Sequence, residues 1–257
     1  MHSASSSSDP RYPGSGLSDA ELAARIARGA GEILLGVRHG ELLTARHLGD
    51  VGDTMAQAWI AAVLARHRPA DAVLSEEAAD VGDRATADRV WIIDPLDGTR
   101  QFAAGSDEWA VHVALTENGK VTQAAVSLPA RGQVFRSDTV APADGPLTGR
   151  LATSRYASYE VSWVSRELGL RPVLIGSAGA KAMAVVSGEA DAYVHAGGQY
   201  EWDNCAPVGV ALAAGLHCSR LDGTPIVYNQ PYPYMPDFVI CRGELREQML
   251  ASLAEIW

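Results

Sequence analysis

Apolar residues recur at helical spacing at Leu22, Ile26, Ala30, Ile33 and Leu34. The segment opens on Ser18-Asp19-Ala20-Glu21, a capping box in which hydroxyl and carboxylate can each satisfy a free backbone N–H. This predicts a helix to about Arg38. A second helical pattern begins at Asp53, runs through Ile60, Val63 and Leu64, and stops before Pro69. Ala72 to Leu74 reads as a short strand entering Ser75-Glu76-Glu77. Arg89 to Asp94 is an apolar run of the kind found in a buried strand. Three more strand-like runs follow, at Trp109 to Thr116, Val121 to Leu128 and Gln133 to Arg136, with Gly119 marking the first turn between them.

The segment from Ala141 to Gly149 (Ala-Pro-Ala-Asp-Gly-Pro-Leu-Thr-Gly) has linker composition. Beyond it strands and helices alternate. Arg150 to Thr153 precedes a helix over Ser158 to Leu168, and Pro172 to Ile175 precedes one over Ala178 to Ser187. Ala190 to Val194 precedes a helix from Asp203 to Ala214. Two or three short strands and a helix over about Glu244 to Ile256 complete the chain. The pattern predicts an α+β fold in two parts, 18–145 and 146–257, with helices covering the sheets. Met1 to Gly16, rich in Ser, Pro and Gly, lacks the apolar stretch of a signal peptide. It reads as a disordered tail or a vector-derived remnant.

Composition narrows the function. The 257 residues are 47% hydrophobic and 20% charged, ordinary for a globular chain with a sizeable core. No run approaches a membrane span. The net charge is −10 and the only lysines are Lys120 and Lys181, so no basic stripe suggests a nucleic-acid partner. Cys205, Cys218 and Cys241 are odd in number and form no Cys-x-x-Cys pair, which fits a reducing cytoplasm better than a disulfide framework.

The chemistry concentrates around Trp91-Ile92-Ile93-Asp94-Pro95-Leu96-Asp97-Gly98-Thr99. An apolar strand ends in two carboxylates and then a Gly-Thr step, whose free N–H groups can hold a phosphate. Asp53, Glu76, Asp94, Asp97 and Asp203 all fall at ends of predicted elements and can converge. Two carboxylates about 4 Å apart repel by about 4 kcal/mol at an effective dielectric near 20, so such a cluster calls for divalent cations. Oxygen-only ligation points to two or three Mg²⁺ ions, with Mn²⁺ a substitute. The Leu96 carbonyl is a further candidate ligand. Thr99 can hydrogen-bond a water on the metal, with Asp53 taking a proton through it, for in-line attack on phosphorus. Taken singly, Asp53 and Asp203 equally suit helix N-caps, Glu76 and Glu77 a solvated loop, and Asp-Gly a common turn. The combination following an apolar strand is what gives the site reading its weight.

Ser75-Glu76-Glu77, Trp91 to Thr99 and Glu201-Trp202-Asp203 together resemble the inositol monophosphatase family of Mg²⁺-dependent, lithium-sensitive phosphatases. The resemblance covers roughly residues 18 to 257. It implies a layered α-β-α-β-α sandwich, and it matches Glu76, Asp94, Asp97, Asp203 and the Leu96 carbonyl to metal ligands. Asp53 and Thr99 match the catalytic pair, and Gly98 and Thr99 the phosphate-binding turn. Within the family the chain is most similar to the CysQ branch, which acts on 3′-phosphoadenosine 5′-phosphate in sulfate assimilation. Arg100-Gln101-Phe102, Glu201-Trp202-Asp203, Gly176 to Lys181, Leu221 to Pro225 and Tyr228-Asn229 carry that likeness. It implies nucleotide contacts at Ser177, Lys181, His195 and Glu201. Ser177 also suits a helix cap, Lys181 a surface charge and His195 a structural role.

Departures from the family pattern bear on these expectations. Leu48-Gly49-Asp50-Val51-Gly52 replaces the loop that often shapes a third metal site. His195 stands where relatives often carry Arg. Ala196 stands where inositol monophosphatases usually place a Glu that meets an inositol hydroxyl, which disfavours inositol phosphate. Inositol monophosphatase and fructose-1,6-bisphosphatase activities remain the alternatives. Many relatives are homodimers, and the Trp and Tyr content is compatible with one.

Overall fold

A computed structural model describes residues 16–78 and 84–256. The tail reading for Met1 to Gly16 therefore lies, apart from Gly16, outside the described residues.

Helix α1 (Asp19–His39) starts as its sequence dictates, with Ser18 Oγ accepting the Glu21 N–H at 3.2 Å. The reciprocal arm of the capping box does not form, because the Glu21 carboxylate turns to Arg25. Helix α2 (Ala45–His67) begins eight residues before the expected start, so Asp53 is not a cap. Gly49 and Gly52 hide the early turns from a hydrophobic pattern. They are there for close approach: a Cβ on Gly49 would lie 2.6 Å from Thr99 Cγ2, and one on Gly52 would lie 3.1 Å from both Leu34 and Phe102.

The first sheet has the order β1 (Ala72–Ser75), β2 (Arg89–Asp97), β3 (Ala110–Glu117), β4 (Lys120–Leu128), β5 (Gln133–Arg136). β1 and β2 are parallel and the rest antiparallel. β2 and β3, at its centre, are buried on both faces, which explains their long apolar runs. Trp91, Ile93, Val111, Val113 and Leu115 pack with α1 and α2, whereas Val90, Ile92, Ala110, Ala114 and Val126 face the centre of the molecule.

The second sheet has the order β7 (Arg171–Leu174), β6 (Arg150–Thr153), β8 (Ala192–Tyr200), β10 (Tyr234–Cys241), β9 (His217–Ser219). Helices α5 (Ala178–Val186) and α6 (Glu201–Ala213) lie between the two sheets and share one core with both. Helices α4 (Tyr159–Glu167) and α7 (Arg246–Ala254) cover the outer face of the second sheet around Val161, Val164, Val194, Val239 and Met249. With the short α3 (Thr99–Ala103), these elements form an α+β, α-β-α-β-α sandwich. No helix among the described residues is long and apolar enough to cross a membrane.

Helix α6 also starts earlier than the sequence pattern predicts. Tyr200 is its N-cap and Asp203 its third residue, where the Asp203 carboxylate accepts the Tyr200 N–H at 2.7 Å. The expected cap is thus an interior first-turn acid. α6 rests on β4 through Gly209, where a Cβ would lie 2.6 Å from Val121 Cγ2 and 2.7 Å from Ala124 Cβ. Gly209→Ala should gain about 1 kcal/mol of helix propensity but lose about 1–3 kcal/mol to overpacking. The expected outcome is a lower urea midpoint at unchanged m-value. An unchanged or higher midpoint would show that α6 is not seated this tightly.

Candidate active site

A β-bulge assembles the acids. Asp94 pairs with His112 on β3 and Asp97 with Ala110, so three steps on β2 meet two on β3. Residues three apart on a regular strand point to opposite faces. The extra residue turns Asp97 onto the same face as Asp94, and Pro95, with no N–H to pair, sits inside the irregularity. The Asp94 carboxylate accepts the Leu96 N–H at 3.0 Å, closing the bend. One carboxylate oxygen from each of Asp94, Asp97 and Asp203 lies within 4.8 Å of the others. Glu76 extends from the end of β1 beside them, its N–H donating to the Ile93 carbonyl at 3.3 Å.

The third turn of α2 brings Asp53 to the same place. Thr99 Oγ1 stands 3.3 Å from Asp53 Oδ2 and 3.2 Å from the Leu96 carbonyl, and both can accept its proton. Gly98 takes the left-handed conformation (φ 87°) that starts α3. A Cβ there would be 2.8 Å from Ser177 Cβ. Asp97 joins the two halves of the chain: its carboxylate accepts the Ala178 N–H at 3.2 Å and the Gly179 N–H at 2.6 Å, at the start of α5.

The electrostatics follow from burial and crowding. Burial, with Glu77 and Glu76 nearby, pushes Asp53 up to about 8. Burial, Asp203 and Glu77 push Glu76 up to about 7, although its side chain keeps contact with solvent. Burial and then Glu76, Asp97 and Asp203 push Asp94 well above its ordinary value. Burial takes Asp203 up to about 6 despite the hydrogen bond from Tyr200, and Asp97 adds to the rise. Asp97 is the exception. Burial pushes it up too, but His112, the Gly179 N–H and Lys181 outweigh that and hold it below the usual range. An oxygen-only donor set this short of positive charge fits a hard divalent cation. The buried Asp53 Oδ1, without a hydrogen-bond partner among the described residues, points the same way.

His112 is the residue that the sequence pattern did not single out. It is fully buried, with Nδ1 3.1 Å from the Trp202 carbonyl and Nε2 3.3 Å from Asp97 Oδ2. Both of those oxygens can only accept, so the imidazolium form serves both. Burial pulls its pKa down, but Asp97 and the Trp202 carbonyl prevail and raise it. The available signal was a lone His inside the apolar Ala110-Val111-His112-Val113-Ala114.

The expected nucleotide contacts divide. Ser177 caps α5, its Oγ accepting the Ala180 N–H at 3.1 Å, and it also touches the Gly98 turn. Lys181 is not a surface charge. It is 4% exposed, its Nζ donates to the Gly176 carbonyl at 2.9 Å, and burial lowers its pKa against the pull of Asp97, Glu108 and Asp203. His195 stacks on Phe238, with its ring nitrogens at the Gly198 carbonyl and the Gln199 amide; it is held by its own strand rather than gathered with the acids. Glu201 is buried and accepts the N–H groups of Asn229 and Gln230 at 2.6 and 2.8 Å. It ties the loop at 228–230 to the start of α6.

Carboxylates gathered at strand ends beside a Gly-Thr turn, in a sandwich of this kind, suit metal-assisted hydrolysis of a phosphate ester. The sequence profile of the inositol monophosphatase family matches residues 18–145 and 146–257, and the chain belongs to that family. It is 51% identical over 260 residues to a protein of Mycobacterium leprae named 3′-phosphoadenosine 5′-phosphate phosphatase, covering 94% of this chain and 95% of the relative. It is 54% identical over 222 residues to a Mycobacterium tuberculosis protein of the same name, covering 82% and 83%. Among solved structures, CysQ from Bacteroides thetaiotaomicron superposes with a TM-score of 0.75 at 24% identity, over 87% of this chain and 97% of that one.

The raised carboxyls carry a pH signature. In an unfolded chain they ionise near their ordinary values, 3.8 for Asp and 4.5 for Glu. Above that range the folded protein holds more protons than the unfolded one, so stability falls as pH rises, through about 6, 7 and 8 in turn. In chelator, the thermal midpoint is expected to drop between about pH 5 and pH 8, and added divalent cation should stabilise more at pH 8. A midpoint that climbs over this range in chelator would contradict the cluster's electrostatics.

Proposed function

We propose that the protein hydrolyses the 3′-phosphate of 3′-phosphoadenosine 5′-phosphate, giving AMP and phosphate. The observation that carries the substrate is the likeness, over nearly the whole chain, to a phosphatase named for it. The geometry of the acids supports the chemistry. Magnesium, a cytoplasmic setting and the clearing of a by-product of sulfate assimilation belong to the same proposal. So does the division of labour between two domains. Residues 18–145 supply Asp53, Glu76, Asp94, Asp97 and Thr99, and residues 146–257 supply Asp203 and Lys181.

In this reading Asp94, Asp97 and Asp203, with Glu76 and the Leu96 carbonyl, hold the divalent cations. Such ions, when bound, supply positive charge that offsets the phosphoryl oxygens and makes water a better nucleophile. The chain's own residues do the rest. Thr99 Oγ1, hydrogen-bonded to Asp53, gives its proton to that carboxylate as it takes one from the attacking water, so the proton moves from water through the hydroxyl to Asp53. The backbone of Gly98 and Thr99 orients the phosphate. His112 fixes Asp97 against the start of α5 and offsets part of the negative charge. Lys181 adds a cation facing the anionic substrate.

Two measurements test this. With Mg²⁺, kcat/KM should be greater for 3′-phosphoadenosine 5′-phosphate than for inositol 1-phosphate or fructose 1,6-bisphosphate. A preference for either of the latter would replace the proposed substrate. Asp94→Asn should lower kcat/KM by more than about 100-fold, beyond the 10- to 100-fold that loss of an outer partner of a metal site costs. Its thermal midpoint in chelator should not fall, since Asn keeps an oxygen for the Leu96 N–H and cannot take the charge that burial penalises. Near-normal turnover of this variant would remove Asp94 from the ligand set.

A further inference from the structure

Arg84 stands in a short turn (Arg84–Thr86) just ahead of β2, the strand that carries Asp94 and Asp97. Its side chain is 4% exposed and has no part in the chemistry described above. Nη1 donates to Asn229 Oδ1 at 2.9 Å and to the Gln230 carbonyl at 3.0 Å, and Nη2 donates to the Pro231 carbonyl at 3.3 Å. Asn229 answers through Nδ2, which donates to the Arg84 carbonyl at 2.9 Å. These bonds join positions 145 to 147 residues apart, one in each half of the chain.

The loop at 229–231 is gripped by groups of opposite polarity. Its Gln230 and Pro231 carbonyls face Arg84, and its Asn229 and Gln230 N–H groups face the Glu201 carboxylate. A guanidinium has only donors and a carboxylate only acceptors, so each suits one set of the loop's backbone groups. Asn229 takes the left-handed conformation (φ 59°), which Asn tolerates better than most residues with a side chain. The same loop holds α6 twice more. The Tyr228 hydroxyl donates to Asn204 Oδ1 at 3.1 Å, and the Pro233 carbonyl accepts the Glu201 N–H at 2.8 Å. The first turn of α6, which carries Asp203, therefore rests on a loop that is itself fastened to the entry of β2.

We infer that Arg84 and Asn229 are positioning residues of the cation site: they brace the entry of β2 against the loop under α6, and so set the spacing at which Asp203 meets Asp94 and Asp97. The inference rests on the reading of these three acids as cation ligands. Their oxygens come within 4.8 Å of one another from two halves of the chain. Like charge drives them apart until an ion is bound. That push has to be borne by contacts away from the carboxylates. The bonds from Asp97 to the Ala178 and Gly179 N–H groups bear it at α5, and the exchange between Arg84 and Asn229 bears it at α6. A site already held at ion spacing gives up less on binding the ion.

The test is Mn²⁺ binding to the full chain without substrate, followed by loss of the free ion's electron paramagnetic resonance signal, with the thermal midpoint in chelator measured alongside. Asn229→Gly suits the left-handed backbone and removes the side-chain bonds to Arg84. Arg84→Lys keeps the charge and loses the fork. Each should raise the dissociation constant about fivefold or more, approaching the 10- to 100-fold cost of losing a direct outer partner of a metal ligand. Should Arg84→Lys fail to fold, Asn229→Gly carries the comparison. Arg242→Lys is the control. It alters an equally buried arginine, 3% exposed, at the far end of β8, where Cys241 pairs with Ala192. It should lower the thermal midpoint and leave Mn²⁺ binding as in the wild type. Clamp variants that melt earlier yet bind Mn²⁺ like the wild type overturn the inference. So does a loss of binding that Arg242→Lys reproduces, since any loss of stability would then suffice. Wild-type protein that binds no Mn²⁺, or binds it no better than Asp94→Asn does, overturns instead the reading of the acids on which the inference rests.

Discussion

Like-charge repulsion at the end of β2 is the constraint around which this molecule is built. Asp94, Asp97 and Asp203 are close enough to share one ion, and Glu76 and Asp53 crowd the same space. At an effective dielectric near 20, two ionised carboxylates 4 Å apart repel by about 4 kcal/mol, so the cluster opposes folding whenever its members are charged together. The fold meets part of that cost with groups of its own. His112 and Lys181 are buried beside the cluster, and two N–H groups of α5 terminate on Asp97. The result is uneven: Asp97 is held ionised, while its neighbours are pushed toward protonation. That unevenness leaves a site still short of positive charge and therefore ready for a cation.

Convergence of the acids depends on backbone devices more than on the acids themselves. Without the bulge, Asp94 and Asp97 would face opposite sides of the first sheet. Without Gly49 and Gly52, α2 would stand off from Thr99 and Leu96, and Asp53 would lose its hydroxyl partner. Glu201, gripping the loop at 228–230, and the Glu201 N–H, donating to the Pro233 carbonyl, fix the first turn of α6 that presents Asp203. The site is thus spread across both halves of the chain, and its stiffness comes from the shared core around α5 and α6.

Much of this was legible in the sequence, for physical reasons. Strands buried on both faces write unbroken apolar runs, so β2, β3 and β4 could be read to within a residue or two at most ends. The Asp-Pro-Leu-Asp-Gly-Thr step pointed to acids meeting at a bend, and the bulge does bring Asp94 and Asp97 onto one face. The starts of α2 and α6 were not legible. Glycines chosen for close approach carry no hydrophobic signal, and Tyr200 is an unusual N-cap. His112 and Glu201 were obscured for another reason. A buried polar residue declares its role through partners distant in sequence, Asp97 and Trp202 in one case, Asn229 and Gln230 in the other.

The distribution of charge also constrains how an acidic protein can receive a phosphate ester. A net charge of −10 disfavours long-range attraction, so selection has to act at short range. The reacting phosphate is to be met by cations recruited to the carboxylates. Charge held in this way is screened beyond about 10 Å, so a phosphate ester is attracted only once it has reached the end of β2. The same confinement leaves the rest of the acidic surface unattractive to anions that do not fit there.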